Sequence, residues 1–382
     1  MRLTRYKDLF FFISLRSVVL SNCCSIGRGA LFSGEPLFTH KRKDKVFNLI
    51  TQIVVYEEES MLEPHFILSF ALAFFICFLL LPYYIKRAHE VGMVGLDIHK
   101  PNTPRVAECG GVVLMLAYLI GLFTFIPFAG QVLEEEIIGT AATVILSSFI
   151  GLIDDVFETS WKVKILTPLI CAVPLAVMRL GRTTMWIPGF QEPVDFGVFF
   201  YFLILPFIVT ACANAVNMFA GLNGLEAGST AIIALALAVL CLLMGGKQLT
   251  GAVILIPFLG AIIAFLLYNR YPSRVFPGDV GTFGMGSVIA CCAMLAYLER
   301  AVFFMFIPHT VNAILFFIGK LRGEAPPKEA PMGSDGTIPA PTVWSFRCLL
   351  LRICPLRERE LVYVMWTVVA VFSVAGTLVY GF

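Results

Sequence analysis

The chain has 382 residues, 58% of them hydrophobic and 14% charged, with a mean hydropathy of +0.86. A soluble domain carries about 25% charged residues, so this composition excludes one and specifies a polytopic membrane protein embedded in a lipid bilayer. A net charge of +2 is too small for a nucleic-acid-binding surface, so no nucleic-acid partner is expected.

In chain order, residues 1–61 read as an N-terminal extension and residues 62–382 as one ten-helix transmembrane domain. The first 60 residues hold nine Lys or Arg and one apolar piece, residues 9–20, broken by Arg16. That piece falls short of the ~20 residues a bilayer needs. Met61 stands just before the first full apolar run, so the extension reads as sequence upstream of the natural start. A malformed signal segment or a peripheral amphipathic helix are the alternatives.

Ten apolar runs follow, at about 66–85, 110–128, 137–153, 163–178, 198–216, 229–244, 249–268, 284–298, 301–318 and 361–380. Hydrocarbon leaves no partner for open backbone groups, and no alternation of period two is present, so each run predicts a helix and the fold class is all-α. The odd-numbered connections carry fifteen Lys or Arg and the even ones four, which puts the odd ones in the cytoplasm. Cys77, Cys171, Cys212, Cys241, Cys291 and Cys292 lie inside apolar runs and read as small packed hydrophobes. His309 reads as a packed histidine. Residues 319–360, rich in Gly and Pro, read as a cytoplasmic loop, either plain or a lid over substrate.

Four polar motifs sit at the cytoplasmic ends of the runs. Asp97 to Gly111, with Lys100, Pro101, Pro104 and Arg105, reads as an ordered basic loop or as orientation charge alone. Asp154-Asp155 closes the third run and is followed by Trp161 and Lys164. Adjacent carboxylates suit a divalent ion or a base, and Lys164 suits a phosphate. Asn214 and Asn217 are three apart and share a helix face, ahead of Gly221, Asn223 and Gly224. Interhelical hydrogen bonding is the plainer explanation of those amides, but three Asn interleaved with Gly exceed it. Phe276-Pro277-Gly278-Asp279 precedes the eighth run and offers a third acid. Three acids, several amides and Lys164 on one face are the equipment of metal-assisted phosphoryl transfer.

Asp154-Asp155 with Trp161 and Lys164, the Asn-Ala-x-Asn-x-x-Ala-Gly-x-Asn-Gly-Leu-Glu-Ala-Gly motif of 214–228, and 276–279 resemble the polyprenyl-phosphate N-acetylhexosamine-1-phosphate transferases, glycosyltransferase family 4. The asparagine motif is similar to the eukaryotic and archaeal UDP-GlcNAc–dolichyl-phosphate branch. The resemblance covers residues 62–382. It implies transfer of GlcNAc-1-phosphate from UDP-GlcNAc to dolichyl (polyprenyl) phosphate with release of UMP, the first step of lipid-linked oligosaccharide assembly for N-glycosylation. It implies Mg²⁺, or Mn²⁺ in its place, on Asn217 and Asp279, and Lys164 on the diphosphate. Asp154 and Asp155 would position or deprotonate the lipid phosphate. Ile98, Gly221, Asn223 and Phe276 would frame uridine, Glu108 and Trp161 would border the sugar, and Asn214 would join the substrate site. The membrane would be the plasma membrane in an archaeon and the endoplasmic reticulum in a eukaryote, with a homodimer as the assembly to test for.

One departure stands out. The family's loop before the last span offers Arg and His, whereas this one reads Pro326-Pro327-Lys328-Glu329-Ala330-Pro331 and contains no His. Lys328 is the expected replacement, with Arg322 second, although a lysine cannot fork onto phosphate. Sugar choice is therefore open: another UDP-N-acetylhexosamine or an undecaprenyl acceptor is the alternative. A membrane transporter or an inactive scaffold would be a different class.

Overall fold

The computed structural model describes residues 40–381 apart from 101, 158, 188–189, 191, 325–332 and 334–335, with side chains from residue 64 on, Trp161 and Gly381 excepted. The chain divides into two compact units, Met1–Met61 and Leu62–Phe382. Of the first unit only residues 40–61 are described, as helix. The expectations for residues 1–39 lie outside the described residues.

The second unit is all-α. Its helices are the C-terminal part of α1 (His40–Val91), α2 (Gly111–Phe123), α3 (Gln131–Phe157), α4 (Trp161–Leu166), α5 (Val173–Val177), α6 (Leu205–Phe219), α7 (Leu225–Met244), α8 (Leu249–Asn269), α9 (Gly278–Leu295), α10 (Glu299–Met305), α11 (Ile307–Arg322), α12 (Phe346–Ile353) and α13 (Glu358–Gly381). Among the described residues eight helices are long and apolar enough to cross a membrane, or nine if the pair α10–α11, bent by 61°, is one span.

About ten spans were expected, and the runs at 163–178 and 301–318 are the two that differ, the first broken and the second bent. The first breaks into α4, a 3-10 turn over Thr167–Ala172 and α5. Pro168 and Pro174 sit at the starts of the second and third pieces. Proline lacks the N–H that would continue a helix and clashes with the preceding turn. Pro308 stands at the α10–α11 bend for the same reason.

Helix α9 is the centre of the bundle: 89% of Gly278–Leu295 is buried, against 28% of the apolar 18-residue windows within Pro64–Val91 and Glu358–Tyr380. It packs on α2, α3, α6 and α8. Lipid supplies no hydrophobic drive between helices, so close packing through small residues has to hold them. Gly151 shows this directly: a Cβ there would lie 2.3 Å from the Asp279 carbonyl oxygen. The end of α3 and the start of α9 touch only because that position has no side chain. His309 is buried between Phe219 and Phe306, with ring centroids at 4.1 and 5.0 Å.

Short strands appear only in connections. β1 (Val94–Leu96) pairs antiparallel with β2 (Arg105–Ala107), and β3 (Thr184–Met185) with β4 (Val194–Asp195). The Phe276 N–H donates to the Ala107 carbonyl at 2.7 Å, which seats the β1–β2 hairpin against the segment entering α9.

Candidate active site

The site is assembled where α3, α4, α6 and α9 meet. Asp279 lies in the first turn of α9, a turn earlier than the apolar run suggested. Helix α9 has no side-chain cap of its own, and Asp155 supplies one from α3. Its carboxylate accepts from the Asp279 N–H at 2.8 Å and the Val280 N–H at 3.0 Å. These are N–H groups that a helix leaves unpaired, at the positive end of its dipole. Asp155 therefore fixes where Asp279 stands.

Lys164 joins the two other acids. Its ammonium lies 2.6 Å from Asp154 and also pairs with Asp279. Burial pulls the Lys164 pKa down, but Asp279 and Asp154 together outweigh it, and the net direction is upward. Asp154 also accepts from the Thr159 N–H at 3.2 Å and from the Thr159 hydroxyl. The Asn217 amide meets Asp279 and donates to the Thr282 hydroxyl at 2.8 Å. Asp154, Asp155, Lys164, Asn217 and Asp279 thus form one connected group. Beside it, burial first and Asp155 second push the Cys109 thiol up to about 12.

Asn214 is placed differently. Its amide donates to the carbonyls of Thr210 at 3.0 Å and Ile165 at 3.3 Å. It ties α6 to α4, one residue from Lys164, and is not in the wall of the cavity described next.

A cavity of about 670 Å³ opens beside this group. Ile98, Glu108, Gly221, Asn223, Phe276 and Asp279 all line it. Gly221 has φ +116°, a backbone state that side chains rarely adopt. Trp161 begins α4, but its side chain, and Lys328 entirely, lie outside the described residues. Arg322, the other expected cation, stacks over Trp344 at 5.0 Å.

Other contacts were not anticipated. Asp97, Lys100, Asn223 and Glu358 form a buried ring. Lys100 pairs with Asp97 at 3.0 Å and with Glu358, while the Asn223 amide donates to Asp97 at 3.1 Å and its backbone N–H to Glu358 at 2.7 Å. Asp97, His99 and Glu358 also bring ligand atoms within 4.8 Å of one another, a grouping able to hold a cation. Lys100 already supplies the positive charge to that grouping. Glu226, 4% exposed, lines the cavity, and its Oε2 has no hydrogen-bond partner among the described residues. Arg347 lines it from α12. The signal for α12 was in the sequence: Ser345 ahead of apolar residues at 346, 349, 350 and 353 marks a capped amphipathic helix.

The glycosyl transferase family 4 model matches residues 137–297. A protein of Saccharolobus solfataricus, named provisionally as a UDP-N-acetylglucosamine–dolichyl-phosphate N-acetylglucosaminephosphotransferase, is 31% identical over 321 residues, covering 82% of this chain and 96% of its own. The enzyme of that name from Dictyostelium discoideum is 29% identical, covering 74% of this chain and 80% of its own. A bacterial phospho-N-acetylmuramoyl-pentapeptide-transferase, from Halalkalibacterium halodurans, is 29% identical over 71% of this chain and 89% of its own. With the acid group and cavity in place and likeness along most of its length, the chain belongs to glycosyl transferase family 4, on its archaeal and eukaryotic branch.

Proposed function

We propose that the protein transfers GlcNAc-1-phosphate from UDP-GlcNAc to dolichyl (polyprenyl) phosphate and releases UMP, and that residues 62–382 carry this activity. The observation that carries the proposal is the group Asp154–Lys164–Asp279–Asn217 at the edge of a cavity lined by Ile98, Gly221, Asn223 and Phe276. Those four frame uridine, with the Phe276 ring against the base and the open Gly221 backbone allowing close approach. Glu108 and Trp161 border the sugar.

An oxygen of the lipid phosphate attacks the β-phosphorus. The bond from that phosphorus to the bridging oxygen breaks, and the oxygen leaves on UMP. Lys164, held charged by its two acids, is placed to meet negative charge on the diphosphate as it grows. Asp154 is oriented by Thr159 and Lys164 toward the incoming phosphate. Asp155 acts by holding Asp279 through the start of α9.

The oxygens of Asp279 and Asn217 suit a hard divalent cation such as Mg²⁺, which is commonly held by one or two carboxylates plus substrate phosphates. Such an ion would neutralise diphosphate charge and ease departure of UMP. The proposed orientation is cytoplasmic, supported by the excess of Lys and Arg on the connections that bear the site.

The test is UMP release by the purified chain in detergent. Release should require UDP-GlcNAc, a polyprenyl phosphate and a divalent ion together. UMP formed equally well without the lipid acceptor, or no UMP under any of these conditions, would reject the proposal.

A further inference from the structure

The cavity wall is acidic. Asp97, Glu108, Glu226 and Asp279 line it, and Arg347 is the one guanidinium there among the described residues. Asp97 is balanced by Lys100 and Asp279 by Lys164. Arg347 is half-buried and has no acidic partner among the described residues. Partial burial of a charge without a partner is unfavourable, and an anion in the cavity would relieve it.

Arg347 is held in place by its helix. The Ser345 hydroxyl caps α12 by accepting from the Cys348 N–H at 3.2 Å. The Phe346 N–H donates to the Asn312 amide oxygen at 3.0 Å, and the Phe346 ring stacks on Phe219 at 6.3 Å. Cys348 and Leu351 are buried beneath the helix. The guanidinium then stands over Gly221: its Nη1 is 3.4 Å from where a Cβ on that glycine would be, and nothing else lies within 4 Å of that point. The open backbone at Gly221 and the fork of Arg347 therefore face the same space.

We infer that Arg347 is a substrate-binding residue that takes a phosphate oxygen through its planar fork. The inference rests on the transfer reaction proposed above. Arg347 supplies the forked cation that neither Lys328 nor the surface-stacked Arg322 offers. The chemistry is that of a phosphate, whether in the nucleotide diphosphate or at the head of the lipid.

The test uses the purified full chain in detergent, with UDP, uridine and a short polyprenyl phosphate as probes. Binding needs no turnover, so it tests Arg347 even if the transfer reaction fails in the wild type. Arg347→Ala should weaken UDP by about tenfold or more and leave uridine within about twofold, with Arg347→Lys recovering part of the loss. Unchanged UDP affinity with a raised dissociation constant for the lipid phosphate would also support the inference and assign the contact to the lipid. Equal losses for UDP and uridine, or no change for UDP and lipid phosphate alike, would overturn it.

Discussion

The backbone N–H of Asn223 donates to Glu358 at 2.7 Å, joining the asparagine-rich motif to the first turn of a span 135 residues further on. Lys100 and Asp97 complete the ring, and the Ser273 N–H donates to the Asn223 amide oxygen at 2.7 Å. Four separate segments thus meet at one asparagine, and three of them carry the residues proposed to frame uridine. Glu358 itself is not in that wall. It acts through Asn223 and Lys100.

Glu358→Gln should therefore raise the KM for UDP-GlcNAc by about tenfold while the KM for lipid phosphate stays unchanged. Breaking a buried pair from one side costs about 3–5 kcal/mol. Lys100 keeps Asp97, so the loss in thermal stability should fall at the lower end. Steady-state kinetics with each substrate varied in turn separate this from general damage, which would move both constants.

Asp279→Ala should abolish UMP release with little loss of fold, because Asp155 caps α9 through backbone N–H groups that the substitution leaves in place. Retained thermal stability with no product is the expected pair of measurements. Full activity would remove Asp279 from the mechanism.

Asp155→Ala attacks the same site from its support. Loss of a helix cap costs about 0.5–2 kcal/mol, and Asp279 loses its fixed position. Stability and kcat should fall together, with Asp155→Asn milder than alanine on both. A normal kcat in the alanine variant would show that the cap does not position Asp279.

Gly151→Ala would put a methyl group 2.3 Å from the Asp279 carbonyl oxygen, so α3 and α9 must separate. Overpacking of this kind costs about 1–3 kcal/mol. Activity should drop at least as steeply as stability, because the acids on the two helices move apart. Wild-type turnover in this variant would count against the contact.

The raised pKa of Lys164 sets a pH expectation. Its contribution to stability is fully present below the ordinary lysine value of 10.5 and is lost only as pH rises through the higher folded value. Alkaline titration to pH 10 should leave this contribution in place, and Lys164→Met should not shift any alkaline limb seen below that pH.

Much of the site was legible from the family resemblance together with residue type. Ile98, Glu108, Gly221, Asn223 and Phe276 all line the cavity, and Asp154, Lys164, Asn217 and Asp279 are in contact. Asn214 was chosen by spacing, yet its amide is used up on two carbonyls, which spacing alone does not reveal. Glu358 was not singled out from the sequence, because its partners are remote along the chain. Arg347 was hidden in a stretch read as loop, although its cap and periodicity were present.

By itself the sequence determined an all-α membrane protein, the face on which its polar motifs gather, and a phosphoryl-transfer chemistry, since hydrocarbon tolerates few charges and each one present carries information. Tertiary structure alone decided which acid caps α9 and which faces the cavity, that prolines break one run and bend another, and that Arg347 rather than a neighbour reaches the cavity. These depend on helix contacts such as Gly151 against Asp279, set by packing between segments more than a hundred residues apart.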